Sequence, residues 1–331
     1  MILLLLFIAA CFLAYSNGAN DNFKGVATLF GSGTTDYKKA INWATITTFS
    51  GSVAAIFLAE ELVKNFSGKG LVPNELIQMP IFAIAIALGA AITVFSATKV
   101  GMPISTTHSL VGGLFGAGVM AVGTEFNFTK LGNTFLIPLI VSPLMAAFLS
   151  LITYLFFKFL RKQIPSLNKE QPTLLYISSH KILDSLHYIS SGIVSFARGL
   201  NDTPKIVGLL IIINTINIKW SMISVAVIMA LGGLINAKKV GETMSKKITK
   251  MNSGQGFTAN IITGLLVTTA SIHGLPVSTT HVSVGSLFGI GTVTKKADYK
   301  VISKIILSWI LTLPIAAFIS AFVFKSLEFI A

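Results

Sequence analysis

The chain has 331 residues, 53% of them hydrophobic and only 11% charged, with a mean hydropathy of +0.78. Soluble domains carry about a quarter charged residues, so the composition excludes a soluble enzyme or binding module and implies that most of the chain lies in lipid. The formal charge of +13 does not point to nucleic acid, because the cations are scattered through short connections between apolar segments, with no basic face or RNA-binding motif.

The first apolar run, residues 2–14, lacks a basic n-region and leads without an obvious cleavage site into a motif that recurs later, so it reads as a mature span rather than a secretory signal. It contains Cys11, the one cysteine, which leaves neither a disulfide framework nor a cysteine-rich metal site within one chain. Further apolar runs at 41–59, 81–95, 135–160, 220–236 and 301–324 approach the roughly 20 residues that cross the hydrocarbon core. Read as ten crossings, the connections near 31–40, 99–103, 158–181, 237–257 and 292–304 hold about seventeen Lys and Arg, against about four in the alternate ones. The heaviest clusters are Lys158, Arg161, Lys162 and Lys169, then Lys238, Lys239, Lys246, Lys247 and Lys250, then Lys295, Lys296, Lys300 and Lys304. That bias marks the cytoplasmic side of a plasma-membrane protein with both termini outside.

The chain repeats itself. SNGANDNFKGV at 16–26 answers to FARGLNDTPKIV at 196–207, pairing Gly18, Asn20, Asp21 and Lys24 with Gly199, Asn201, Asp202 and Lys205. GMPISTTHSLVGGLFGAG at 101–118 answers to GLPVSTTHVSVGSLFGIG at 274–291, and between these landmarks Gly51 pairs with Gly232 and Glu61 with Glu242. The halves are 1–165 and 178–331, joined by a polar, basic, Pro-containing cytoplasmic loop at 166–177 whose seam lies in 161–172; together they form one transporter body. With about five crossings each, the second half enters the membrane upside down. The expected fold is an all-α integral membrane protein, a polytopic helical bundle with two inverted-topology repeats and broken or re-entrant helices.

The chemistry sits at the duplicated motifs. Asn20 with Asp21 and Asn201 with Asp202 place a carboxylate and an amide beside glycines at matching points of the two halves, and ionisable groups inside membrane segments are functional by default. Their oxygens are hard ligands for a small cation, and a broken helix adds free carbonyls, so sodium is the expected coupling ion with a proton second. The bland alternative is that they cap helices at the headgroups. Ser105, Thr106 and Thr107, and Ser278, Thr279 and Thr280, follow Pro103 and Pro276 as helix starts do. A helix N-terminus inside the membrane offers free N–H groups and a positive dipole end to an oxyanion, and the hydroxyls add donors. Hydrogen bonding within or between helices is the alternative for these hydroxyls. Because two aspartates would repel an anion unless cations or protons intervene, the pattern argues for cation-coupled symport.

His108 and His281 invite a proton-relay or metal reading, but no third ligand stands at zinc spacing, and packed or hydrogen-bonded rings are the better expectation. Lys24 and Lys205 either contact the anion, snorkel, or pair with an aspartate; Arg198, unmatched in the first half, is read the same way. Glu61 and Glu242 read as interfacial ion pairs. No nucleophile–base arrangement, P-loop or dinucleotide fingerprint is present, so no enzyme and no cofactor beyond coupling sodium is expected.

At GANDNFKG, GLNDTPK and the two P-[IV]-STTH stretches the sequence resembles the PiT family of inorganic phosphate transporters. The resemblance spans both halves and implies sodium- or proton-driven uptake of inorganic phosphate, an inverted-repeat helical fold and homodimers. It implies that Asn20, Asp21, Asn201 and Asp202 form the coupling-ion and phosphate neighbourhood, with Ser105, Thr106, Thr107, Ser278, Thr279 and Thr280 around the substrate. The chain departs from the pattern in NFKG, where many relatives have a neutral VANS-like continuation, in LND for AND, and in Thr48, where animal relatives have a glutamate. These departures bear on the coupling ion. Without the resemblance the residues indicate only a small oxyanion, sulfate included, and a passive anion channel or exchanger or a non-transporting receptor or scaffold stays open.

Overall fold

A computed structural model describes residues 1–163, 179–213 and 217–330. The expected connecting loop at 166–177, with Lys169 and Pro172, lies outside the described residues. Helices dominate, and among the described residues there is no strand, only the isolated bridges Lys69–Val72 and Thr249–Ala297. Among the described residues ten principal helices follow in chain order. The first half holds α1 (Ile2–Asp21), α2 (Tyr37–Leu58), α3 (Pro80–Lys99), α4 (Thr106–Val122) and α5 (Ile137–Gln163). The second holds α6 (Ser179–Val207), α7 (Ile218–Asn236), α8 (Ser253–Ile272), α9 (Thr279–Thr294) and α10 (Tyr299–Ile330).

Six segments among the described residues are long and apolar enough to cross a membrane: those containing α1, α2, α3, α5, α7 and α10. They coincide with the six apolar runs of the sequence. The other four helices of the ten-crossing reading have separate reasons for falling short. α4 and α9 are only 17 and 16 residues long, about 25 Å at 1.5 Å per residue. α6 and α8 are long but carry polar residues on inward faces, among them Ser191, Ser195, Arg198 and Asn201 in α6 and Thr258, Asn260 and Thr263 in α8, all buried. The outward faces of α5 and α10 are apolar, with Ile140, Leu144, Phe148, Ile310, Phe318 and Phe322 exposed, as a lipid-facing surface requires.

Packing repeats between the halves with partners exchanged. α2 lies on α6, where a Cβ at Gly51 would come within 1.9 Å of the Phe196 carbonyl oxygen; α7 lies on α1, where a Cβ at Gly232 would come within 2.1 Å of that of Tyr15. Likewise Gly116 of α4 meets Ala317 of α10, and Gly289 of α9 meets Ala147 of α5, with Cβ-to-carbonyl distances of 2.0 and 2.1 Å. Small residues allow this backbone approach, which drives helix association where lipid supplies no hydrophobic force. Each half therefore completes the other.

The connections gather at two ends. Lys239 Nζ donates to the Lys99 carbonyl at 3.1 Å, Lys246 lies over the Phe30 ring at 4.7 Å, and Asp298 N–H donates to Ile248 O at 3.0 Å, so four of the basic connections share one end. At the other end Asn65 donates to Gly274 O and Asn127 N–H to Leu71 O. Gly101 thus lies at the basic end and Gly274 at the opposite one, and the strings that follow them, to Ser105 and Ser278, run inward from opposite ends to a common centre.

Helix breaks differ between the copies. α1 stops at Asp21 and passes through a 3₁₀ turn (Asn22–Val26) into a short helix (Ala27–Gly31), as a broken helix at the motif should. α6 instead continues through Asn201, Asp202 and Pro204 to Val207.

Candidate functional site

The two short helices begin alike because their sequences begin alike. Ser105 (φ −98°, ψ 114°) and Ser278 (φ −103°, ψ 115°) are extended N-caps whose Oγ atoms accept from the N–H of His108 at 3.1 Å and His281 at 3.3 Å. Thr106, Thr107, Thr279 and Thr280 form the first turns, whose N–H groups have no carbonyl four residues back within their helix. All six hydroxyl residues are buried. The helix starts interlock: Thr107 Oγ1 donates to Val277 O at 3.1 Å, and Thr280 Oγ1 donates to Ile104 O at 3.0 Å. Two positive dipole ends therefore face one centre.

The amides of the Asn-Asp pairs brace these starts. Asn20 donates to Thr98 Oγ1 (2.8 Å) and Met102 O (3.1 Å) and accepts from Ile104 N–H (3.2 Å). Asn201 donates to Val277 O and Thr279 Oγ1, both at 3.2 Å, and accepts from Ser271 Oγ at 3.2 Å. Each amide holds the non-helical string ahead of its short helix.

The carboxylates meet lysines on one edge and each other's surroundings on the second. Lys24 Nζ donates to Asp21 Oδ1 at 2.5 Å, Ile104 O at 2.7 Å and Thr280 Oγ1 at 2.7 Å. Lys205 Nζ lies 3.4 Å from Asp202 Oδ1 and donates to Val277 O and Thr107 Oγ1, both at 2.7 Å. Both lysines pair with an aspartate, and with residue exposures of 3% and 1% they do not snorkel. At the other edge, Asn17 Nδ2 lies 3.2 Å from Asp21 Oδ2 and 3.2 Å from Asp202 Oδ2, and 3.1 Å from Thr106 Oγ1. Thr106 Oγ1 donates to Asp21 Oδ2 at 3.1 Å. The sequence reading passed over Asn17, although its position one turn before Asp21 on the same helix face was a usable signal.

Arg198 closes the cluster. Its Nη2 donates to Asn17 Oδ1 at 2.6 Å and its Nη1 to Asn22 Oδ1 at 3.0 Å, while its Nε stands 3.6 Å from Asp202 Oδ2, an ion-pair distance too long for a hydrogen bond. Thr48 is buried and lies 3.5 Å from the same guanidinium. Lys24, Lys205 and Arg198 outnumber Asp21 and Asp202 by one charge, and all five groups are buried. Lys24, Lys205 and Arg198 stand as fixed counter-charges to Asp21 and Asp202, beside the cations or protons that the sequence pattern calls for.

The histidines turn away from this cluster. Their rings lie 4.4 Å apart, and His281 stacks on Trp309 at 3.7 Å, beside an apolar crevice of about 540 Å³ between α5 and α10. His281 Nδ1 contacts Leu139 O at 3.4 Å, a carbonyl that Pro143, lacking an N–H four residues on, leaves unbonded in α5. Among the described residues no group of His, Cys, Asp and Glu is arranged to hold a metal ion. Glu61 pairs with Lys64 at 2.9 Å on an exposed face, as an interfacial ion pair would.

Residues 17–320, both halves and the whole cluster, match the model of the phosphate transporter family. The chain belongs to that family. It is 30% identical to a putative phosphate permease of Pyrococcus abyssi, with 98% of each chain covered, and 28% identical to a probable low-affinity inorganic phosphate transporter of Rhizobium meliloti, with 98% of this chain and 96% of that one covered. A solved structure, the sodium-dependent phosphate transporter, superposes with a TM-score of 0.86 at 25% identity, covering all of both chains. As a member of the phosphate transporter family the protein works by transport, not catalysis, and the resemblance carried by the duplicated motifs holds over the full fold.

Proposed function

We propose that the protein is a sodium-coupled symporter that carries inorganic phosphate across the plasma membrane by alternating access. The observation that carries this reading is the convergence of two helix N-termini on the buried aspartates, Thr106 bonding to Asp21 directly and Thr279 joined to Asp202 through the Asn201 amide. Phosphate would be held by first-turn N–H groups and by the hydroxyls of Ser105, Ser278 and Thr279, with Thr106, Thr107 and Thr280 turning their O–H groups from Asp21, Val277 O and Ile104 O to reach it. Sodium would be held at the Asn-Asp pairs, with Asp21 and Asp202 as ligands and Asn20 and Asn201 shaping the carbonyl-lined strings beside them.

The exchanged packing of the halves, and the entry of the two strings from opposite ends, support an inverted repeat of 1–165 and 178–331. The basic end then faces the cytoplasm, both termini face outward, and the working unit is a homodimer. Proton coupling is the second reading, favoured by the fixed cations, which already offset both carboxylates. Radiolabelled phosphate uptake into proteoliposomes under an inward sodium gradient, compared with equal sodium, a pH gradient and excess sulfate, separates the cases. Accumulation that needs the sodium gradient and ignores sulfate is the expected result. Accumulation driven by pH alone replaces sodium with the proton, and none under any gradient rejects coupled transport.

A further inference from the structure

We propose that Lys24 and Lys205 are resident counter-cations, each filling an oxygen cage at the Oδ1 edge of its aspartate that would otherwise take a mobile cation, and that they thereby reduce the number of sodium ions accompanying each phosphate. The inference deepens the reading above and rests on it for the identity of the cargo.

The two cages are the same construction. Each has a carboxylate oxygen and a backbone carbonyl from the lysine's own half, Asp21 with Ile104 and Asp202 with Val277, and a hydroxyl from the other half, Thr280 and Thr107 respectively. Carboxylate, carbonyl and hydroxyl oxygens are the donors that hard cations select. An ammonium has three N–H donors and no acceptor, and in each cage three oxygens face it, so neither lysine has a donor left for an anion. Their role is therefore to neutralise Asp21 and Asp202, not to grip phosphate. A tethered cation supplies this charge without crossing the membrane. The Oδ2 edges face donors, Asn17 Nδ2 at both, Thr106 Oγ1 at Asp21 and Arg198 Nε at Asp202, so a sodium ion binding there must displace them.

The test removes each ammonium and counts ions. Lys24→Ala and Lys205→Ala, with wild type, would be purified in detergent and their thermal stabilisation by sodium chloride compared with choline chloride, without phosphate; the same proteins in liposomes would give the sodium dependence of phosphate uptake. Each alanine variant should show a larger sodium-specific stabilisation than wild type, and a steeper sodium dependence of phosphate uptake with a higher Hill coefficient. Lys24→Arg should gain neither. Folded variants with wild-type sodium binding and wild-type cooperativity overturn the proposal. Where an alanine variant does not purify, Lys24→Asn or Lys205→Asn replaces it. Loss of those variants in both sodium and choline also overturns the proposal, because a sodium-filled cage should hold the carboxylate as the ammonium does. Wild type that moves no phosphate under any gradient rejects the transport reading alone, since the binding measurement uses no phosphate.

Discussion

Asn17 and Arg198 occupy corresponding positions in the two halves, at the same offset that relates Gly18 to Gly199, and they touch: Arg198 Nη2 donates to Asn17 Oδ1 at 2.6 Å. Contact between corresponding residues places them at the centre of the duplication, as does the 4.4 Å separation of the His108 and His281 rings. A symmetric pair there would be two amides or two guanidiniums. Two guanidiniums would add a buried charge without a counter-ion, whereas Asn17 with Arg198 joins an acceptor to a donor and leaves the amide N–H₂ for both aspartates.

Arg198→Leu should therefore destabilise the protein by about 1–3 kcal/mol for each buried amide oxygen, Asn17 Oδ1 and Asn22 Oδ1, that it leaves without a donor. Arg198→Lys should recover only part, because a single ammonium cannot reach Asn17, Asn22 and Asp202 together in the planar fork geometry. Thermal unfolding in detergent checks both; a Leu variant as stable as wild type would show that the guanidinium holds nothing.

Close helix contact makes a second prediction. Gly51→Leu and Gly232→Leu should each lower stability by several kcal/mol, in the range of severe overpacking, since even a Cβ would sit about 2 Å from a carbonyl oxygen of the opposing helix. Gly132→Ala, where a Cβ meets nothing within 4 Å, is the control and should be neutral. The comparison is of unfolding temperature and detergent-extracted yield.

These results bear on what was readable from sequence. Duplication and hydropathy alone yielded the helical membrane class and the paired motifs, because repeats and apolar runs are local patterns. Asn17 stands one turn before Asp21, which is a sequence signal, but its contact with a guanidinium 181 positions later is set only by the fold. Lys24 was left among three options, because only the fold brings Ile104 O and Thr280 to its ammonium. The sequence pattern calls for cations or protons to offset the aspartates; that two lysines and an arginine stand buried beside them is set only by the fold. The lengths of α4 and α9 likewise followed from where the strings before them end.

The caps give a third prediction. Ser105→Ala and Ser278→Ala each remove an acceptor for a first-turn N–H and should cost about 1 kcal/mol in stability. If the hydroxyls also donate to phosphate, KM for phosphate should rise in both variants while sodium-specific stabilisation stays the same. A loss of stability with an unchanged KM would confine these serines to capping.

Acid sensitivity at the basic end follows from Asp36, the N-cap of α2, whose Oδ1 accepts from Lys39 N–H at 2.8 Å. That backbone hydrogen bond, with the Lys39 side chain in support, lowers its pKa below the ordinary carboxylate value. Its stabilisation is present above the unfolded-state pKa and is lost as pH falls through the lowered folded-state value. Asp36→Asn keeps an acceptor without a titrating group, so it should flatten the acid limb of a pH–stability profile slightly and leave neutral stability nearly unchanged.

Asp21→Asn and Asp202→Asn address transport itself. Each change keeps the side-chain volume and an oxygen acceptor but removes the negative charge opposite a buried lysine, leaving Asp21's partner Lys24, or Asp202's partners Lys205 and Arg198, short of a counter-charge. Losing that partner is expected to weaken the transport-competent arrangement by several kcal/mol, which is about a hundredfold or more in uptake rate at limiting sodium. Excess positive charge should hold phosphate at least as tightly as before, so binding and uptake should separate: phosphate-induced thermal stabilisation retained, sodium-driven accumulation lost. Equal loss of both would assign the aspartates to the architecture of the phosphate site, and normal uptake with unchanged sodium dependence in both variants would remove them from the coupling site.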